Sequence, residues 1–120
     1  MFTRDFVMRQ IQQLSQVLAL VLMKKRLKQP EEAREVISQG MNDALESDLD
    51  QILLLNREDT IDLCKKNGHF VSDLAVSIAD LLKEDGSGEA LERSAWLYKE
   101  ALTHGGTLPL SALTWLEDHS

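Results

Sequence analysis

Apolar residues at Val7, Ile11, Leu14, Leu18 and Val21 step by four and three, the spacing that holds one stripe of a helix against a partner helix. The chain from Arg4 to about Lys28 therefore predicts one long helix, roughly 37 Å at 1.5 Å per residue. A second row, Val17, Leu20 and Leu27, widens the apolar stripe beyond what a two-helix seam needs and predicts burial on more than one side. Pro30 stops this helix and suits the first turn of the next, where its missing N–H costs nothing and Glu31 and Glu32 meet the positive helix end. The inward face of that second helix reads Ala33, Val36, Ile37, Gly40, Met41, Ala44 and Leu45, with Gly40 and the alanines allowing close approach. So short a junction implies an antiparallel helical hairpin.

Further on, Ser47 with Asp50 and Asn56 with Asp59 read as capping pairs, predicting short helices from Asp48 to Leu55 and from Arg57 to Asn67, with Gly68 as a left-handed stop. Ser72 is placed to cap a helix running to about Glu84, with Leu74, Ala75, Ile78, Ala79, Leu81 and Leu82 inward. Gly86, Ser87 and Gly88 mark a flexible turn. Glu89 to His104 is again helical, with Leu91, Ala95, Tyr98, Ala101 and Leu102 on one side, and Pro109 opens a last helix through Leu113 and Leu116. No stretch alternates with a period of two, so no sheet is expected. The fold class is all-α: a single-domain helical bundle over 1–120, with a long basic apolar helix to residue 29 and an acidic helical body over 30–120.

Residues 94–102, SAWLYKEAL, resemble the second helix of a tetratricopeptide repeat, with Ser94, Tyr98, Ala101 and Leu102 in the places that let helices nest. Leu74, Ala75 and Ile78 hold the spacing of a first helix, but the Gly-Ser-Gly loop is too long for a regular repeat, so the likeness is to a pair and not to an array. The chain as a whole resembles an uncharacterised bacterial family of short all-helical proteins, on the stretches RDFVMRQIQQLSQVLALVL, DLDQILLLNREDTIDL and LAVSIADLLKEDG. That likeness implies a helical fold and carries over no catalytic residue.

Charge changes the picture of the first helix. Residues 1–30 carry six basic side chains and one acidic, the remainder seven basic and nineteen acidic, within a formal net charge of −7. The acidic balance argues against a dedicated nucleic-acid binder. Lys24, Lys25, Arg26 and Lys28 suit a helix C-terminus; reversible membrane-surface association through this helix and cluster is an alternative, the weaker because the cations are bunched at one end and do not line a polar face. Between Arg9 and Lys24 no charge occurs, and the polar side is glutamine: Gln10, Gln12, Gln13 and Gln16. Another chain can cover such a surface without stranding an ion. We therefore expect an interface through Gln13, Val17, Leu20, Met23 and Lys24, occupied by another protein or a second copy.

Candidate chemistry is sparse. His69, His104 and His119 show no zinc-ligand spacing, and the acids from Glu46 to Asp62 lack the glycine and closing glutamate of a calcium loop. No phosphate-binding glycine loop or nucleophile elbow is present. The expectation is a non-enzyme with no catalytic residue, cofactor or metal ligand. Cys64, the single cysteine, reads as a small buried hydrophobe in a reducing, cytoplasmic setting, and the run from Val17 to Met23 is too short to span a bilayer. A second possibility is a peptide or small-ligand groove beside Trp96 and Tyr98.

Overall fold

A computed structural model describes residues 2–119, with side chains over 4–119. Helix α1 (Phe2–Arg26) closes with a paired C-terminal motif: the Gln29 N–H donates to the Lys24 carbonyl (2.9 Å) and the Lys28 N–H to that of Lys25 (3.0 Å). Lys28 takes the left-handed conformation at φ 61°. The chain has therefore already turned when Pro30 opens α2 (Pro30–Leu45).

Helices α1 and α2 run antiparallel, with Gln10 beside Ala44, Val17 beside Gly40 and Lys24 beside Glu32. Val7, Leu14 and Val21 are buried on α1, as are Ala33, Ile37, Met41 and Ala44 on α2. Ile11 and Leu18 are half-buried. Helix α3 (Leu49–Leu53) adds Leu49 and Ile52 to this core. Its cap is Asp48, one residue past Ser47: the Gln51 N–H donates to Asp48 Oδ1 and the Asp48 N–H to Gln51 Oε1, each at 2.9 Å. Residues 1–54 form one compact unit and 55–120 another. The change of charge near residue 30 thus falls inside the first unit.

In the second unit, Asn56 caps α4 (Arg57–Asp62) by accepting the Asp59 N–H at 2.8 Å, as its spacing predicts. The helix expected to run to Asn67 stops at Asp62 instead. A small antiparallel ladder follows, β1 (Lys65–Lys66) on β2 (His69–Phe70), correcting the expectation of no sheet. The cause is Asn67-Gly68: both residues have positive φ, 53° and 79°, the backbone of the two-residue turn that matches strand twist. Gly68 therefore turns a hairpin and does not end a helix.

Helix α5 (Ser72–Asp85) takes Val71 as its cap position, so Ser72 is its first helical residue. Gly86 ends α5 at φ 77°, and Ser87 caps α6 (Gly88–Thr103) by accepting the Ala90 N–H at 3.3 Å. Gly86 and Ser87 thus make a two-residue junction that serves both helices. All six inward residues expected on α5 are buried, against Ala90, Ala95, Leu97, Tyr98 and Ala101 of α6. Ser94 Oγ donates to the Ala79 carbonyl at 2.8 Å, bringing the two helices close. Leu102 is exposed, because Ala101 takes the inward place and the next residue lies about 100° round the helix. Helix α7 (Leu110–His119) packs on α6 and buries Ala112 and Leu116. Among the described residues the fold is all-α apart from that one ladder.

Candidate interaction surface

Two faces of α1 meet different surroundings. The stripe through Val7, Leu14 and Val21 is covered by α2, whereas Leu20, Met23 and Leu27 stand 39%, 45% and 59% exposed. With exposed Gln13 and Gln16 they follow the same four-and-three spacing, forming a second seam roughly 100° round from the first. Phe6, Met8 and Leu22 are exposed too. The extra apolar row that predicted burial on a second side is therefore real but uncovered, and isolated exposed leucines are ordinary where a contiguous row is not.

Of the five residues expected to form an interface, Gln13, Leu20 and Met23 face outward. Val17 does not serve that face. A Cβ placed at Gly40 would lie 2.5 and 2.7 Å from its two methyl groups, so Val17 fills the space that glycine leaves and belongs to the α1–α2 seam. Lys24 is half-buried, its Nζ 3.3 Å from Glu32 Oε2. Gln10 also leaves the polar set: it is buried, and its Nε2 donates to the Ala44 carbonyl at 2.8 Å. Carbonyls in a last helical turn lack intrahelical partners, so Gln10 caps the end of α2 from α1. Its place separates it from its solvated neighbours: three residues past Val7 and four before Leu14, Gln10 stands on the covered stripe, and Gln12, Gln13 and Gln16 do not.

The residues expected around a groove part company. Tyr98 is wholly buried; its hydroxyl donates to the Asp80 carboxylate, and its ring meets Trp115 edge-on at 5.7 Å. Burial first, then the Asp80 hydrogen bond and charge, raise the Tyr98 hydroxyl far above the usual phenol range. Tyr98 thus lines no groove, because its period places it on the α5 side of α6. Trp96 is half-buried and lines a shallow cleft of about 320 Å³ with Leu91, Glu92, Ala95, Lys99 and His119. Its ring lies 5.1 Å from the Arg93 guanidinium. Arg93 is itself buried, donating to the carbonyls of Glu89 (3.0 Å) and Leu55 (2.6 Å) and so holding the start of this unit against α6.

The remaining chemistry is structural. His104 Nε2 sits 3.1 Å from Glu100 Oε2 with its ring stacked on Phe70, and His119 stacks on Trp115. Among the described residues no three His, Cys, Asp or Glu side chains gather where a metal ion could sit. Burial pushes the Cys64 thiol up to about 12, against a smaller opposing pull from Lys66. Since the thiolate is the reactive form, Cys64 should not react with a disulfide reagent at pH 8 in the native chain and should react fully in guanidinium. Prompt native labelling would show that the thiol is reachable after all.

No helix among the described residues is long and apolar enough to cross a membrane. Set beside known proteins, the chain matches no family model, no curated protein and no solved structure.

Proposed function

We propose that this is a non-catalytic helical interaction protein, which docks another protein chain on the uncovered face of α1. One observation carries the reading: Leu20, Met23 and Leu27 continue a helical seam in solvent, on a helix whose other seam is already filled by α2. Removing such a row from water is the main source of association free energy, and glutamines beside it can be covered without stranding charge. A cytoplasmic setting suits the reading, since Cys64 there stays reduced. The cleft beside Trp96 supports a peptide-binding alternative less well, because Tyr98 contributes nothing to it.

The test is the double variant Leu20→Glu, Met23→Glu, compared with Leu110→Glu, which alters a still more accessible leucine on α7. All three positions are exposed, so the fold should survive. Two carboxylates forced into a closed apolar seam should weaken partner capture by about a hundredfold or more, while Leu110→Glu leaves it intact. Capture from the native host that is indifferent to the double variant would refute the assignment of this face.

A further inference from the structure

We infer that Asn67 is a site of spontaneous backbone rearrangement, held in check by the β1–β2 ladder, and that its modification opens the chain at Cys64. Three asparagines occur, Asn42, Asn56 and Asn67, and Asn67 is the one followed by glycine. The chemistry is an internal acyl transfer. The Gly68 backbone nitrogen gives up its proton and attacks Asn67 Cγ; the new N–C bond closes a succinimide ring as the bond to the side-chain nitrogen breaks, and ammonia leaves with that proton. Water then adds at one of the two ring carbonyls. Opening at one side gives aspartate, and opening at the other gives isoaspartate, in which the main chain runs through Cγ and is one carbon longer. Glycine favours the attack because no side chain shields its nitrogen, and the space around Gly68 is open: a Cβ placed there would meet nothing within 4 Å. Asn67 is exposed as well, so water reaches the ring. By contrast Asn42 lies inside α2, and the side chain of Asn56 is occupied as the cap of α4.

The native turn opposes the first step. Asn67 and Gly68 both sit at positive φ, 53° and 79°, and in the left-handed region ψ is about +47°. At that ψ the Gly68 nitrogen stands almost anti to Asn67 Cβ about the Cα–C bond, as far from Cγ as rotation about that bond allows. Ring closure needs the two nearly eclipsed. Asn67 must therefore leave the left-handed region, which the pairs Lys66 with His69 and Lys65 with Phe70 prevent while they last. So short a ladder opens locally without the rest of the unit, and the rate of modification follows how often it does. Isoaspartate makes the opening permanent, because a two-residue loop matches strand twist only at its normal backbone length. The base of the ladder is Cys64: it directly precedes β1, is wholly buried, and accepts the Val71 N–H on its carbonyl at 2.8 Å. Losing the pairs above that bond frees the segment whose burial keeps the thiol protonated and unreactive.

The full chain is incubated at pH 8, folded or in guanidinium, and isoaspartate is counted by enzymatic methyl transfer and located by peptide mass spectrometry. The modified folded chain is then separated by its extra negative charge and offered a disulfide reagent. Isoaspartate should appear at Asn67 before any change at Asn42 or Asn56, and at least about tenfold more slowly in the folded chain than in guanidinium. The isoaspartate chain should label at Cys64 at least about tenfold faster than the parent. Asn67→Gly, whose Gly-Gly turn keeps the left-handed backbone, should form no isoaspartate at this position and keep Cys64 closed. Freshly prepared Asn67→Asp should keep it closed too, since it adds the charge without lengthening the chain. Conversion at Asn42 or Asn56 first, or none in either condition, would overturn the site. Equal rates in the folded and unfolded chains would overturn the guard. Cys64 labelling that is the same in the isoaspartate and parent chains, or is freed equally by Asn67→Asp, would overturn the link between turn and thiol.

Discussion

Replacing Gly40 with leucine should destabilise the chain by about 3 kcal/mol, although helix propensity alone favours the change by about 0.8 kcal/mol. The sign is set by Val17. Its two methyls lie 2.5 and 2.7 Å from where a Cβ at Gly40 would stand, and a β-branched side chain in a helix has essentially one rotamer to occupy. The helices must therefore separate, opening the seam between Leu14 and Val21 on α1 and Ile37 and Met41 on α2. Trimming Val17 to alanine in the same chain makes room for the first carbon, so the two substitutions together should cost clearly less than their separate effects added. Urea midpoints of the four chains form the cycle. A Gly40→Leu chain as stable as the parent would mean that this close approach is not required.

Gly40 was legible as a close-approach residue, and so were most helices, because each is announced twice. Asn56 supplies a cap where an apolar period begins, and Leu74 to Leu82 keep an unbroken inward period that the fold buries completely. The hairpin at Asn67-Gly68 was missed for a physical reason. Each strand is two residues long, too short to show alternation, so its only signature is the turn dipeptide, and glycine after a helix also reads as a stop. The end of α1 near Lys28 was legible from Pro30, though the left-handed turn that makes it falls on Lys28, a conformation usually left to glycine or asparagine.

The candidate surface was legible in its residue types and not in its assignment. Periodicity puts Val17, Leu20 and Leu27 in one row, but Val17 also stands three past Leu14 and four before Val21, and the position of Gly40 shows that α2 uses it while the other two are left over. Gln10 and Gln13 have the same chemistry on the same helix. One reaches the open end of α2 and the other faces solvent: the burial of Gln10 follows from its place three past Val7 and four before Leu14, and its partner from where the neighbouring helix ends. Burial of Arg93 is of the same kind, since the carbonyl it reaches on Leu55 lies 38 residues away. The functional reading accordingly rests on what the hairpin leaves uncovered, a quantity that exists only after α2 has been placed.

Tyr98 should prove the most sensitive side chain of the second unit. Tyr98→Ala should cost about 4 kcal/mol, as for other large buried aromatics, by emptying the space between α5, α6 and Trp115. Tyr98→Phe removes only the hydroxyl and should cost about 1–2 kcal/mol, since it leaves Asp80 partly buried without its donor. Asp80 itself gives the pH dependence. Burial raises its carboxyl above the ordinary range, outweighing the Tyr98 hydrogen bond and the Lys83 charge that lower it, with Glu84 adding a little. The folded chain therefore holds this proton more tightly than the unfolded one. Stability from the group is complete below the ordinary carboxylate pKa and is lost as pH rises through the folded value. Asp80→Asn keeps an acceptor for the Tyr98 hydroxyl and cannot ionise, so it should gain on the parent above that pH, with the gain shrinking on acidification. Urea midpoints of both chains between pH 3 and 7 would decide it: an asparagine variant that instead falls further behind the parent as pH rises would mean that the Tyr98 bond to a charged carboxylate outweighs the cost of burying it.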